Sequence, residues 1–284
     1  MRSILIFALT FAGAAAIFGQ DRIQSVDFNN FTYEPSCTDF EGDKREKITV
    51  KDGEFSSEKK VDENYTDRFY FKVFGLVYGD VTGDKKDDAV ILSVCNTGGT
   101  GNFTEGFIFS MKSGKPALVA RIPGGDRADG GLRNVKIENG LLVIEANDEE
   151  KTAGACCPEG TVTQKVRVSG DKLIDVGAPV KRDLFPSETV KFAKGATSAT
   201  LKYTIPASEG KRLIVGARAG QMLSVNVSTD KINAQLEEED NATVTEDANG
   251  NGLSAKLAKN GNYTIKLTNY EDGPIEVTVT IKIW

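Results

Sequence analysis

No histidine occurs in the 284 residues. That removes the commonest general base, the commonest transition-metal ligand and every Ser-His or Cys-His catalytic pair. Tryptophan is nearly as scarce. Trp284 is the only one, so paired aspartates elsewhere lack the indole platform that would support a glycosidase reading. A basic excess is also missing: the formal net charge is -6, which offers no footprint for nucleic acid or anionic lipid. Apolar runs are short. Only Ile4 to Phe18 is sustained, and no later segment could cross a membrane. These absences predict a protein with no catalytic site and no cofactor beyond a metal ion that a loop could hold.

What is present fits an exported globular chain. Hydrophobic residues make up 39% and charged residues 27%, and the length allows two domains. Arg2 ahead of the apolar Ile4–Phe18 stretch reads as a signal peptide over 1–19, cleaved near Gly19 or Gln20. The alternative is an uncleaved anchor. Export implies a periplasmic or secreted location, with Cys37, Cys95, Cys156 and Cys157 meeting an oxidising compartment. Four cysteines allow three connectivities. Adjacent Cys156 and Cys157 are expected not to pair with each other, because that ring is strained. Each is then expected to reach one of Cys37 and Cys95.

The mature chain is predicted to be all-β. "DRFYFKVFGLVY", "DAVILSV", "GFIFSM", "PALVARI", "LRNVKI", "LLVIEA" and "TVTQKVRV" are rich in β-branched and aromatic residues. "SGK" at Ser113, "ENG" at Glu138 and "SGD" at Ser169 give hairpin signals, since Gly and Asn accept positive φ. An antiparallel meander domain over 20–177 follows from these, then a linker over 178–186 that carries Pro179 and Pro186. Over 187–284 the alternation is cleaner. Ala199, Leu201, Tyr203 and Ile205 share one face of a strand, as do Leu223, Val225 and Val227, and then Tyr263, Ile265 and Leu267. The last strand places Ile275, Val277, Val279, Ile281 and Ile283 together. Period-two alternation in several strands predicts a β-sandwich.

The segments "VKFAKGATSATLKYTI", "ARAGQMLSVNVS" and "LSAKLAKNGNYTIKL" resemble the bacterial pre-peptidase C-terminal domains and the related periplasmic inhibitors of goose-type lysozyme. Gly220 and Gln221 match the "GQ" hairpin of that pattern, and Gly261 and Tyr263 match its "G-x-Y". The resemblance covers almost all of 187–284 and implies an accessory sandwich. For the inhibitors it implies arginines and loops beside the last strands, entering an enzyme cleft. Here Lys256, Lys259 and Lys266 stand there, with Tyr263, and no arginine does. The first region is similar to uncharacterised exported bacterial proteins through "VDFNNFTYEPSC", "VYGDVTGDKKDDAVIL", "GDRADGGLRNVKIENGLLVIE" and "GACCPEGTVTQKVRVSGDKL".

Two loops carry the remaining chemistry. "GDVTGDKKDDAVIL" resembles the calcium loops of FG-GAP repeats, which would make Asp80, Thr82, Asp84, the Lys86 carbonyl and Asp88 the ligands. Thr82 stands where the pattern has Asp or Asn, and Lys85 where it has glycine. The other reading is a solvated turn whose aspartates cap backbone amides. "GGDRADGGLR" combines freed backbone with Asp126, Arg127, Asp129 and Arg133, a set suited to a sugar or a peptide terminus. Its plain reading is a long hairpin connection with an internal Asp-Arg pair. The expectation is therefore a non-enzymatic envelope protein that binds a protein or glycan. Inhibition of a lysozyme and a calcium-stabilised module are its rivals.

Overall fold

A computed structural model describes residues 22–38, 45–237, 242–246 and 252–284. The expected signal peptide over 1–19 lies outside them. The regular structure described is almost all strand, apart from single 3-10 turns at Ile23–Ser25 and Ser36–Thr38. The strands are β1 (Thr32–Tyr33), β2 (Ile48–Thr49), β3 (Glu54–Lys60), β4 (Thr66–Gly79), β5 (Asp88–Asn96), β6 (Phe103–Lys112) and β7 (Lys115–Asp126). They continue with β8 (Leu132–Glu138), β9 (Leu141–Asn147), β10 (Gly160–Ser169), β11 (Lys172–Asp175), β12 (Val180–Asp183), β13 (Ser187–Thr189) and β14 (Ser198–Ile205). The rest are β15 (Gly210–Ala217), β16 (Met222–Val227), β17 (Ile232–Leu236), β18 (Ala242–Glu246), β19 (Gly252–Leu257), β20 (Gly261–Asn269) and β21 (Ile275–Ile283). Among the described residues no helix is long and apolar enough to cross a membrane.

The chain forms two compact units. The first comprises the described part of Met1–Gly124 with Asn134–Ile144 and Lys165–Val176. The second comprises Gly125–Arg133, Glu145–Gln164 and Gly177–Trp284. Strands β3 to β7 make an antiparallel sheet in sequence order. Two-residue turns set the meander. Ser113-Gly114 joins β6 to β7 and Asn139-Gly140 joins β8 to β9, all four residues at positive φ. This is the backbone that matches strand twist and that Asn-Gly and Ser-Gly supply. The core of the first unit is aromatic. Tyr33 packs within 5.5 Å, centre to centre, of both Phe71 and Phe107, and Phe28 lies 5.4 Å from Phe109.

The second unit is a sandwich. One sheet runs β13-β15-β20-β17 and the other β14-β21-β16-β19-β18. The alternation read from the sequence is the packing seen. Leu223, Val225, Tyr263, Ile265, Leu267, Val277, Val279, Ile281 and Ile283 are buried in one shared core. Burying the four core aliphatics of β21, Val277, Val279, Ile281 and Ile283, contributes about 6–12 kcal/mol before conformational entropy is charged.

Two expectations change. Residues 178–186 are a strand and a buried pair of side chains, not a free connector. β12 pairs antiparallel with Gly160–Thr163, and Leu184 and Phe185 are buried. Pro179 and Pro186 flank that strand and interrupt nothing, because neither sits where a ladder donor is needed. The disulfide pairing also differs. Cys37 bonds Cys95, and Cys156 bonds Cys157. Cys37 and Cys95 stand 6.7 Å apart at Cα, inside the span a disulfide bridges. The adjacent cysteines sit in a turn closed by its own hydrogen bonds, with the Cys157 amide donating to Gly154 O and the Ala153 amide to Cys157 O. That turn holds the two cysteines next to each other, within reach of one bond.

Candidate functional site

The loop Gly125–Arg133 is built by its glycines. A Cβ on Gly125 would overlap the Asp129 carbonyl, and one on Gly131 would overlap the Arg127 carbonyl. The loop closes on itself: the Asp129 amide donates to Asp126 O at 2.7 Å, and the Gly131 amide to Arg127 O at 3.1 Å. Arg127 takes positive φ, as does Gly130. Ala128 is buried beneath. The tight bend throws the Arg127 side chain to one side, where its Nε donates to Asp126 Oδ1 at 3.1 Å.

A buried amide fixes the neighbouring arginine. Asn147 Nδ2 donates to Arg127 O at 2.5 Å, and its Oδ1 accepts from Arg133 Nη1 at 3.1 Å. Asn147 is only 7% exposed, so this pair of bonds is sheltered from water. Arg133 Nε also lies 3.9 Å from Glu145.

Glu159 organises a second cluster within the same unit. Its Oε1 accepts from Arg212 Nη2 at 2.7 Å and Lys266 Nζ at 2.6 Å. Arg212 Nε reaches Glu237 at 2.8 Å. Both cations rest on the Phe185 ring, Lys266 Nζ 4.5 Å and Arg212 Cζ 5.4 Å from its centre. Burial works to raise the Glu159 carboxyl, but hydrogen bonds and charge from Arg212 and Lys266 outweigh it and hold it below the usual glutamate value.

These parts surround a cavity of about 540 Å³ lying wholly in the second unit. Arg127, Arg133 and Lys266 line it together with Asn147, the Cys156–Cys157 disulfide and Tyr270. Pockets for small ligands fall in the range of about 300–1,000 Å³ and combine apolar walls with a few placed polar groups. Tyr270 is 73% exposed, so its ring is free to pack against a ligand at the cavity.

Three residues singled out from the sequence therefore meet here: Arg127, Arg133 and Lys266. Asp126 serves as the partner of Arg127, and Asp129 is exposed without lining the cavity. The rest lie elsewhere. Lys256 is on β19, in the sheet that does not contain β20 and its Lys266. Lys259 is in the turn between them. Tyr263, named as a binding residue, is a core residue. Its ring is buried, and its hydroxyl donates to Lys259 O at 2.9 Å and accepts from the Lys259 amide. The alternation puts it inward with Ile265 and Leu267, so its ring cannot face a ligand. Asn147, Glu159, Phe185 and Tyr270 were not picked from the sequence. The adjacent "CC" was visible but read as two separate bridges.

The acidic turn between β4 and β5 is closed by its own carboxylates. Asp80 accepts from the Gly83 amide at 2.6 Å and the Lys85 amide at 2.8 Å. Asp84 accepts from the Lys86 amide at 2.9 Å. Asp88, buried, accepts from the Val81 and Thr82 amides and from the Ser110 hydroxyl. Lys85 takes the positive φ that glycine usually supplies. Among the described residues no three His, Cys, Asp or Glu side chains converge as a metal would need.

Comparison with known proteins adds little. No family model matches the chain, and no curated protein matches it. Among solved structures it is similar to three periplasmic inhibitors of g-type lysozyme. PliG of Aeromonas hydrophila is 20% identical with a TM-score of 0.30, over 35% of this chain and 97% of that one. A PliG mutant from Escherichia coli is 18% identical, TM-score 0.29, over 35% and 99%. PliG of Salmonella Typhimurium is 22% identical, TM-score 0.30, over 35% and 98%.

Proposed function

We propose that the chain is an exported, non-enzymatic protein of the cell envelope, and that its C-terminal unit binds a protein or glycan. The observation that carries this reading is the cavity lined by Arg127, Arg133 and Lys266. Its polar groups are oriented in advance by Asn147 and Glu159, and preorganised groups bind without a further ordering cost. Co-sedimentation of the mature protein with purified envelope material tests it. The parent is expected in the pellet, and Tyr270→Ala or Arg133→Gln in the supernatant. A parent that stays in the supernatant overturns the reading.

The narrower alternative is inhibition of a goose-type lysozyme. It draws on the sequence resemblance of 187–284 and on Lys256 and Lys259, which are exposed and make no ion pair with any described residue. Lys266 is a poor probe of it, since reversing that charge breaks the pair with Glu159. Lys256→Glu with Lys259→Glu is the clean variant. Inhibition lost in that variant supports the alternative, and inhibition that is absent or unchanged removes it.

A further inference from the structure

We propose that this cavity takes a saccharide bearing a single carboxylate. The acid group sits on Arg127 and Arg133, and a sugar face lies on the Cys156–Cys157 disulfide and the Tyr270 ring. The proposal rests on the binding role assigned above and names the chemistry of the ligand.

The donors come first. Arg127 commits Nε and Nη2 to Asp126, which leaves Nη1 without a partner among the described residues. Arg133 commits Nη1 to Asn147, and its Nη2 has no partner among the described residues. A guanidinium carries five N–H groups in a rigid fork that matches a carboxylate. Both arginines are held in place before any ligand arrives, one by the closed loop and one by Asn147. Lys266 also lines the cavity, but Glu159 already neutralises it. Asp126 and Glu145 balance much of the arginine charge. Such a site favours one carboxylate over a polyanion, because a multiply charged phosphate polymer would meet carboxylates as well as guanidiniums.

The surface beside those donors is apolar and broad. Cys156 and Cys157 are exposed residues, and their disulfide is a polarisable group in a turn pinned by Thr152, whose hydroxyl donates to Cys157 O at 3.1 Å. Ala153 and Pro158 extend it, and Tyr270 stands at the same cavity, largely exposed. A pyranose has a face of C–H groups that packs on such a surface, while its hydroxyls need neutral hydrogen-bonding partners at the edge. Ser208, Gln235 and Thr268 supply them in the same lining. A peptide terminus such as dialanine would use the arginines but brings no ring face to the disulfide and Tyr270.

Saturation-transfer NMR on the full mature chain tests this with N-acetylmuramic acid and glucuronic acid as acid probes. N-acetylglucosamine and glucose are the neutral counterparts, and N-acetyl-dialanine is the carboxylate without a sugar. Both acid sugars are expected to bind, with neutral sugars and the dipeptide weaker by about tenfold. Arg127→Gln and Arg133→Gln should each weaken acid-sugar binding by about tenfold. Tyr270→Ala should do so without changing the melting temperature, because its ring is exposed. Equal binding of neutral sugars, equal binding of the dipeptide, full binding by the arginine variants, or no binding by any probe overturns the proposal. Envelope co-sedimentation that persists alongside any of these results leaves the broader binding role intact and removes only the acid-sugar assignment.

Discussion

The Asn147 amide donates to the Arg127 carbonyl and accepts from the Arg133 guanidinium, so one buried side chain orients both arginines of the cavity. Replacing it by leucine removes one of the two donors to the Arg127 carbonyl, which keeps the Gly131 amide, and takes away the sheltered acceptor of Arg133 Nη1. Asn147→Leu is expected to lower unfolding stability by about 1–3 kcal/mol, and a urea denaturation midpoint equal to the parent's would contradict that. Glu159 gives a pH prediction. Its carboxyl is held below its ordinary value of 4.5 despite burial, by Arg212 and Lys266. Asp183 is likewise held below 3.8, against burial, by Lys151 and the Phe185 amide. A depressed folded value stabilises the fold above the ordinary carboxylate value, and that stability is lost as pH falls through the folded value. Melting temperature should therefore hold from neutrality to about pH 5 and then fall. Glu159→Gln should flatten the acid limb; an unchanged limb would show that the cluster contributes nothing. Neither residue was legible beforehand. Asn147 lies in "EANDEE" and Glu159 in "CCPEG", and nothing local marks a side chain whose partners come from distant strands.

Strands and turns were far more readable, because their signals are local. Asn139-Gly140 and Ser113-Gly114 adopt the positive φ that their composition implied. β16, β20 and β21 bury the face that their period-two pattern named, apart from the half-buried Ile275, while on β14 Ile205 is buried and Ala199, Leu201 and Tyr203 are half-buried. β21 is the clearest case, and Ile281, completely buried, tests it. Ile281→Ala is expected to cost about 2–5 kcal/mol, read as a shifted denaturant midpoint, and a loss below the Ile→Val range would mean that β21 is not a core strand. The turn between β4 and β5 was ambiguous for a physical reason: aspartates that cap amides and aspartates that hold calcium have the same spacing. With its carboxylates on the turn's own amides, the melting temperature is expected to be the same in calcium and in EDTA. A rise of several degrees with calcium, removed by Asp84→Asn, would make the turn a metal site.

At the scale of the whole chain, the sequence pointed to two β regions but not to how the chain divides between them. The pieces Gly125–Arg133 and Glu145–Gln164 belong with the C-terminal sandwich, although they come from the middle of the predicted first domain. Such a division depends on long-range pairing, which no local pattern records. The disulfides follow that division. Cys37–Cys95 closes a separation of 58 residues in the first unit, and removing it by Cys37→Ala with Cys95→Ala should destabilise that unit by about 2–4 kcal/mol. Cys156–Cys157 constrains only its own turn, so its loss should alter the cavity far more than the fold. The most direct test of the binding role is hydrogen exchange on the mature protein with and without solubilised envelope material. The account predicts slowed exchange at Gly125–Arg133, at the turn around Cys156 and near Tyr270. Protection confined to other segments, or none at all, would contradict it.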